Sequence, residues 1–223
     1  FIPLLYFTLR KAIPLVLIPR LYLLLILGGF QGVLGWYMVK SGLVDDPNVS
    51  QYRLTAHLGM AVFIYSLILW TVFDLSLNYN HAIRSRIKWM SSTLTLLIFL
   101  MILSGGLVAG TRAGIPFPTW PLMGDTFIPP QIYSMNPSWL SAFEDMATIQ
   151  FNHRMFAYLL TIFIVIFAIV LLGSNVPRFL KNGTTVLLFV LSLQVVLGIS
   201  TLLFYIPIPV AAAHQVGAIA LLS

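Results

Sequence analysis

Long apolar runs recur along the chain and constrain its fold more than any other feature. A helix needs about 20 apolar residues to cross the hydrocarbon core of a bilayer. We predict full spans over five runs: 21–39, 54–77, 89–109, 147–172 and 184–205. Only 8% of the 223 residues are charged and 59% are hydrophobic, whereas a water-exposed surface needs more charge. The sequence therefore predicts an all-α polytopic membrane protein.

Both ends of the chain resemble parts of further spans. Residues 1–8 are apolar and lack an initiator methionine or a signal-peptide pattern. A last apolar run begins near Val210 and ends at Ser223, which is short of the ~20 residues that a span needs. We therefore expect a partial chain with about five full spans and two truncated ones.

The basic residues predict the orientation of the spans. The net charge is +6, but Lys and Arg lie in short loops between apolar runs, so we expect membrane orientation rather than nucleic-acid binding. Eight of the twelve fall in the loops around Arg10, Arg84 and Arg178, which we place in the cytoplasm or matrix. The connection 111–146, rich in Pro and Trp, is then external, and we expect it to cap a site and restrict solvent.

Three histidines occupy equivalent places near the predicted outer ends of apolar helices. His57, His153 and His214 lie roughly 6–9 Å from the predicted helix starts, at 1.5 Å per residue, so we expect one layer. A lone buried histidine is more often structural, but an ionisable group within a membrane favours function. The fourth histidine, His81, lies in a basic loop, and we predict that it is solvated.

A short internal repeat surrounds two of these histidines. Gln-Gly-Val-Leu-Gly at 31–35 matches Gln-Val-Val-Leu-Gly at 194–198, and an Ala-His pair follows each copy, ending at His57 and His214. Repeats in membrane proteins commonly place sites at the interface between the repeated units. We therefore predict that two helix-pair units of the same kind recur, and that their histidines are ligands.

Heme iron suits these histidines better than other metals. The chain has no cysteine, which excludes disulfides, thiolate sites and c-type heme attachment. No acidic residue lies near a histidine within the apolar runs, so a zinc or di-iron carboxylate site is poorly supplied. Imidazoles from two parallel helices suit the axial positions of heme iron. Arg53, Arg112 and Arg154 on the same side suit heme propionates or, equally, lipid head groups.

Several longer motifs resemble the heme A synthase family, of the type found in mitochondria and many proteobacteria. They lie at 31–43, 49–57, 107–110, 120–125, 127–129, 150–154 and 213–215. They occur in the family's order over nearly the whole chain, and Gly-Trp-Tyr-Met-Val-Lys-Ser-Gly at 35–42 is the most specific. The family's external cysteine pair of the Bacillus type is missing, and Arg112 stands where many relatives have an acidic residue.

The resemblance implies two pseudo-repeated four-helix bundles, both partial here. Residues 1–80 would belong to the N-terminal half, where His57 is the catalytic-site histidine that holds the iron of the substrate heme O. Residues 81–223 would form the C-terminal half, where His153 and His214 bind heme b. A partner for His57 and a glutamate essential for the chemistry would lie upstream of the chain.

The implied activity is oxidation of a methyl group of heme O to the formyl group of heme A, for cytochrome oxidase biogenesis. The implied location is a bacterial inner membrane or the mitochondrial inner membrane. Implied partners are heme O synthase and cytochrome oxidase assembly factors, and a homo-oligomer is compatible with the sequence. The second heme would carry electrons away from the substrate, while the electron acceptor and the oxygen source stay open.

Two other functions remain open on the residues alone. A di-heme b-type electron-transfer cytochrome would hold two permanent hemes and convert no substrate. A transporter or assembly scaffold would use the histidines as structural groups or proton relays and hold no iron. Gln150, three residues before His153, suits a structural rather than a catalytic half.

Overall fold

The computed structural model describes residues 1–40, 49–76 and 83–223. His81, which we predict to be solvated in a basic loop, lies outside these residues. Over the described ranges every regular element is helical, which confirms the all-α prediction. The elements, in chain order, are α1 (Ile2–Leu9), α2 (Ile18–Lys40), α3 (Gln51–Ser76), α4 (Ser85–Gly110), a 3-10 turn (Ser138–Leu140), α5 (Ser141–Glu144), α6 (Met146–Leu172), α7 (Arg178–Leu203) and α8 (Ile208–Leu222).

Five of the described helices are long and apolar enough to cross a membrane. They are α2, α3, α4, α6 and α7, and each contains one of the five predicted runs or most of it. Large apolar side chains such as Ile162, Val186 and Phe189 point outward on these helices, as expected for contact with lipid. The chain is a multi-pass membrane protein.

Several helices begin earlier than the apolar runs predict. α7 begins at Arg178, six residues before the predicted 184, because a helix that leaves the hydrocarbon still satisfies its own backbone hydrogen bonds. α8 begins at Ile208 rather than near Val210, with Pro209 in its first turn. A proline is tolerated there because its missing N–H would have no partner within the helix.

The chain contacts divide the protein into two compact units, residues 1–79 and 80–223. In the first unit α2 packs against α3. Near the start of α2, Arg20 forms an ion pair of 2.9 Å with Asp74 and lies over the ring of Trp70. Both charged side chains are partly exposed, at 27% and 52%, so this ion pair contributes little to stability.

The second unit is built around α6. This helix packs against α4 and α7, and α8 packs against α7 and α4. Its apolar core includes Ile98 and Ile102 of α4 together with Leu160 and Ile164 of α6, all at most 7% exposed. The arrangement fixes the two histidines of this unit, one on α6 and one on α8, on helices that share neighbours.

Candidate functional site

His153 lies on α6 and is held by two residues of α4. Its Nδ1 atom is 3.0 Å from the Ser104 hydroxyl oxygen. A Cβ atom added at Gly105 would lie 3.5 Å from the ring Cε1, so the ring sits in ordinary contact with a helix that has no side chain there. α4 therefore supplies both a polar partner and a flat surface for this imidazole.

His214 lies on α8 and rests on Gly198 of α7. A Cβ atom at Gly198 would come within 2.9 Å of the His214 Cε1 atom, closer than carbon atoms pack. The His214 Nδ1 atom is buried without a hydrogen-bond partner, and the ring lies beside the backbone of Gln194. Only glycine at 198 leaves room for this position of the ring.

The two imidazoles of the second unit share one environment. His153 and His214 lie within electrostatic range of each other, and both are partly buried. Counting from the observed helix starts, Met146 and Ile208, they lie about 10 Å and 9 Å along their helices. α6 and α8 thus present one imidazole each at similar depths.

His57 in the first unit repeats the arrangement of His214. It lies on α3, and a Cβ atom at Gly35 of α2 would come within 3.0 Å of its Cε1 atom. Its Nδ1 atom is likewise buried without a partner. The Gln31 amide nitrogen donates to the His57 carbonyl oxygen at 3.1 Å and lies 3.4 Å from the ring Nε2.

The repeated motif therefore has one structural meaning in both units. In each copy the glycine that ends the motif, Gly35 or Gly198, supports the imidazole of the next helix. The glutamine one turn earlier, Gln31 or Gln194, keeps a buried side-chain oxygen that has no partner. The two glutamines differ in what their side chains contact. The Gln31 amide nitrogen donates to the His57 carbonyl oxygen, whereas the Gln194 side-chain oxygen lies against Gly217 of α8.

Arg154 holds the connection 111–146 between α4 and α6, here called the external segment after its predicted side of the membrane. Only 6% exposed, it donates hydrogen bonds of 2.8–3.2 Å to the carbonyl oxygens of Phe117, Thr119 and Leu122. Gln150, one turn earlier, donates to the Phe117 carbonyl oxygen at 3.0 Å. The guanidinium keeps one buried nitrogen, Nε, without an acceptor.

Further side chains of α6 hold the same external segment. The Trp120 indole nitrogen donates to the Tyr158 hydroxyl at 3.1 Å. The backbone nitrogen of Tyr133 donates to the Thr148 hydroxyl, and the Tyr133 hydroxyl donates to the Asn152 side-chain oxygen. The segment is therefore packed against the first turns of α6, next to the helix turn that carries the histidine.

The two other predicted arginines differ in their surroundings. Arg53 lies over the ring of Tyr37, and its Nη1 atom is buried without a partner. It lines a cleft of about 420 Å³ with Leu34 and Ala56, within one turn of His57 on α3. Arg112 follows α4, is exposed and has a left-handed φ of 55°.

The chemistry of the described side chains limits the metals they suit. In residues 1–40, 49–76 and 83–223, no group of three or more His, Cys, Asp or Glu residues comes together to hold a metal ion. Tetrahedral zinc and carboxylate-bridged iron need such groups. A pair of imidazoles, by contrast, matches the two axial ligands of heme.

Comparison with known proteins places the chain in a family. The model of the COX15-CtaA family, described as cytochrome oxidase assembly protein, matches residues 1–223. The chain belongs to the COX15-CtaA family. It is 46% identical to a heme A synthase of Nitrosospira multiformis over 99% of its length, and 41% identical to one of Parvibaculum lavamentivorans over 98%. It spans 63% and 62% of those two relatives.

Sequence reasoning missed the residues that position the histidines in this COX15-CtaA protein. The sequence allows Gly105 to admit either a neighbouring helix or a flat ring, and it does not single out Ser104. Ser104 immediately precedes Gly105 on α4, so a polar residue beside a glycine in an apolar run was the available signal. Gly35 and Gly198 were recognised as part of the repeat, but the sequence does not reveal that each supports an imidazole.

Proposed function

We propose that the protein is an oxidoreductase that converts heme O to heme A by oxidising a porphyrin methyl group to a formyl group. The observation that carries the proposal is the repeated support of an imidazole by a glycine in both units. The matching relatives are named heme A synthase, which agrees with this chemistry. Oxidation of the substituent requires a bound heme substrate and a route for the electrons.

In the second unit, His153 and His214 would hold the iron of heme b. The fit rests on two features. An imidazole nitrogen of His214 is buried without a partner, and no group of three or more His, Cys, Asp or Glu among the described residues comes together to favour another metal. When bound, heme b supplies a one-electron redox centre. The surrounding helices orient the imidazoles and exclude water from them.

In the first unit, His57 would hold the iron of the substrate heme O. The neighbouring cleft ends at Arg53, whose unpartnered Nη1 atom suits a propionate carboxylate. Gln31 fixes the His57 carbonyl and approaches the ring nitrogen, so it keeps the imidazole in place between substrates. The role of the N-terminal half, residues 1–80, would thus be to orient the substrate.

The external segment and its arginines would close the second site. Arg154 holds the segment through Nη1 and Nη2, which leaves Nε as the atom available to a propionate. Arg112 would act as a propionate contact nearer the surface. Residues 81–223 would then form the half that retains heme b, with the external segment restricting solvent.

The proposed partners follow from the substrate and the product. Heme O is apolar enough to require delivery within the bilayer, so heme O synthase is the expected supplier and cytochrome oxidase assembly factors are the expected recipients of heme A. The proposed cellular location is the bacterial inner membrane or the mitochondrial inner membrane. A homo-oligomer is compatible with this arrangement.

Expression of the complete gene product in a host that makes heme O but not heme A tests the proposal. Extracted hemes are separated by chromatography for the wild type and for the His57→Ala and His153→Ala variants, with His81→Ala as the histidine control. We expect heme A from the wild type and from the control, and none from His57→Ala. Two bound protohemes with no heme A would instead identify an electron-transfer cytochrome, and protein without heme would leave the histidines structural.

A further inference from the structure

We propose that Ser104 is a positioning residue that fixes the tautomer and orientation of His153. The Ser104 hydroxyl would accept a hydrogen bond from Nδ1–H, which leaves the Nε2 lone pair for iron. The inference rests on the proposed role of His153 as a heme b ligand. It gives Ser104, which would not itself bind the iron, a role in setting the redox potential of heme b.

The contact between the two side chains is direct and comes from neighbouring helices. The Ser104 oxygen lies 3.0 Å from Nδ1, which is the ordinary length of a hydrogen bond to an imidazole nitrogen. Gly105, the next residue on α4, brings the helix backbone to van der Waals distance from the ring Cε1. α4 therefore holds the ring both by a hydrogen bond and by shape.

The direction of the hydrogen bond follows from what iron requires. A neutral imidazole has one N–H donor and one nitrogen that accepts, and a metal binds only the nitrogen that carries no proton. Once Nε2 binds iron, Nδ1 must carry the proton. Ser104 can then only accept from it, and the hydroxyl hydrogen remains free to point elsewhere.

Among the described histidines, this arrangement distinguishes His153 from the other two. The Nδ1 atoms of His57 and His214 are buried and have no partner. Both of those rings rest on a glycine, so packing rather than a hydrogen bond holds the side of each ring that carries Nδ1. His153 is thus the ligand whose ring is held by a side-chain hydrogen bond, whereas the His214 ring is held by its fit against Gly198.

A hydrogen bond at Nδ1 makes the imidazole a stronger electron donor to iron. Partners of this kind orient metal-bound histidines, and their loss typically costs about 10- to 100-fold in metal affinity. The ferric state gains more from a basic ligand than the ferrous state. Loss of the Ser104 hydroxyl should therefore weaken ferric heme b more and raise its midpoint potential, by about 59 mV for each tenfold difference between the two states.

Redox titration of heme b in the purified complete gene product tests the inference. Ser104→Ala removes the acceptor, and Ser104→Thr keeps a hydroxyl at the same position. Ser66→Ala is the matched control, because the Ser66 hydroxyl donates to the Val62 carbonyl oxygen of its own helix. We expect a raised potential and at least tenfold weaker heme retention in Ser104→Ala, wild-type values in the control, and recovery in Ser104→Thr.

An unchanged potential in Ser104→Ala, with heme b still bound, would overturn the inference and leave the proposed function standing. A wild-type protein that binds no heme b would overturn both. If Ser104→Ala does not accumulate in the membrane, Ser104→Cys provides the second measurement, since a thiol is a weak acceptor. A raised potential in Ser104→Cys supports the role, and a wild-type potential refutes it.

Discussion

Substitution of one glycine should remove heme b without unfolding the protein. In Gly198→Ala the new Cβ atom would lie 2.9 Å from the His214 Cε1 atom. Carbon atoms pack at about 3.5–4.0 Å, so the ring must retreat by about 0.6–1 Å. Ligands at a functional site must stay within about 0.5 Å of their productive geometry, and the displacement exceeds this.

The fold should tolerate the same change. Alanine stabilises a helix interior relative to glycine by about 0.5–1 kcal/mol, whereas overpacking costs about 1–3 kcal/mol when nothing can move. The atom in the way is at the far end of a side chain, so rotation of the His214 ring relieves most of the clash. We therefore expect near-normal accumulation of Gly198→Ala with at least tenfold less heme b.

Absorbance spectra of the purified variants measure heme b per protein directly. Gly183→Ala is the control on the same helix, because a Cβ atom there meets nothing within 4 Å. Gly35→Ala, which would bring a Cβ atom within 3.0 Å of the His57 Cε1 atom, should keep heme b but lose conversion of heme O. Full heme b content in Gly198→Ala would refute the reasoning.

Three further changes have defined outcomes. Arg154→Met removes three hydrogen bonds from a charged donor to the external segment, each worth about 1.5–3 kcal/mol. We therefore expect the free energy of unfolding of this segment to fall by several kcal/mol and limited proteolysis within 117–122 to be faster; unchanged proteolysis would contradict it. Asp74→Asn should change thermal stability by less than about 1 kcal/mol, because its ion pair with Arg20 is partly exposed, and a larger loss would show otherwise. Gln31→Leu should raise the KM for heme O, because it loosens His57, and should leave the heme b content unchanged. A parallel fall in heme b would argue against a role confined to His57.

The membrane spans could be predicted because bilayer thickness sets the length of an apolar run. The exact starts of the helices could not, because a helix continues past the apolar run into the interface without any change in backbone energetics, as in α7 at Arg178. The internal repeat also marked His57 and His214 as equivalent histidines. In the structure each rests on the glycine that ends its copy of the motif.

The partners of His153 and Arg154 could not be predicted in the same way. Ser104 contacts a residue 49 positions away on another helix, and no repeat in the sequence marks that pairing. Arg154 suits a propionate by chemistry, but the path of the external segment brings three backbone carbonyl oxygens to its guanidinium. Loop paths depend on tertiary packing, which local sequence patterns do not encode.

The heme b content of the His153→Ala and His214→Ala variants tests the central claim most directly. Each variant of the complete gene product is purified from the same membranes as the wild type, and heme b is quantified against protein. The account predicts that either substitution removes heme b, while His57→Ala retains it and loses conversion of heme O. Heme b retained at wild-type stoichiometry in the His153→Ala/His214→Ala double variant would contradict the account.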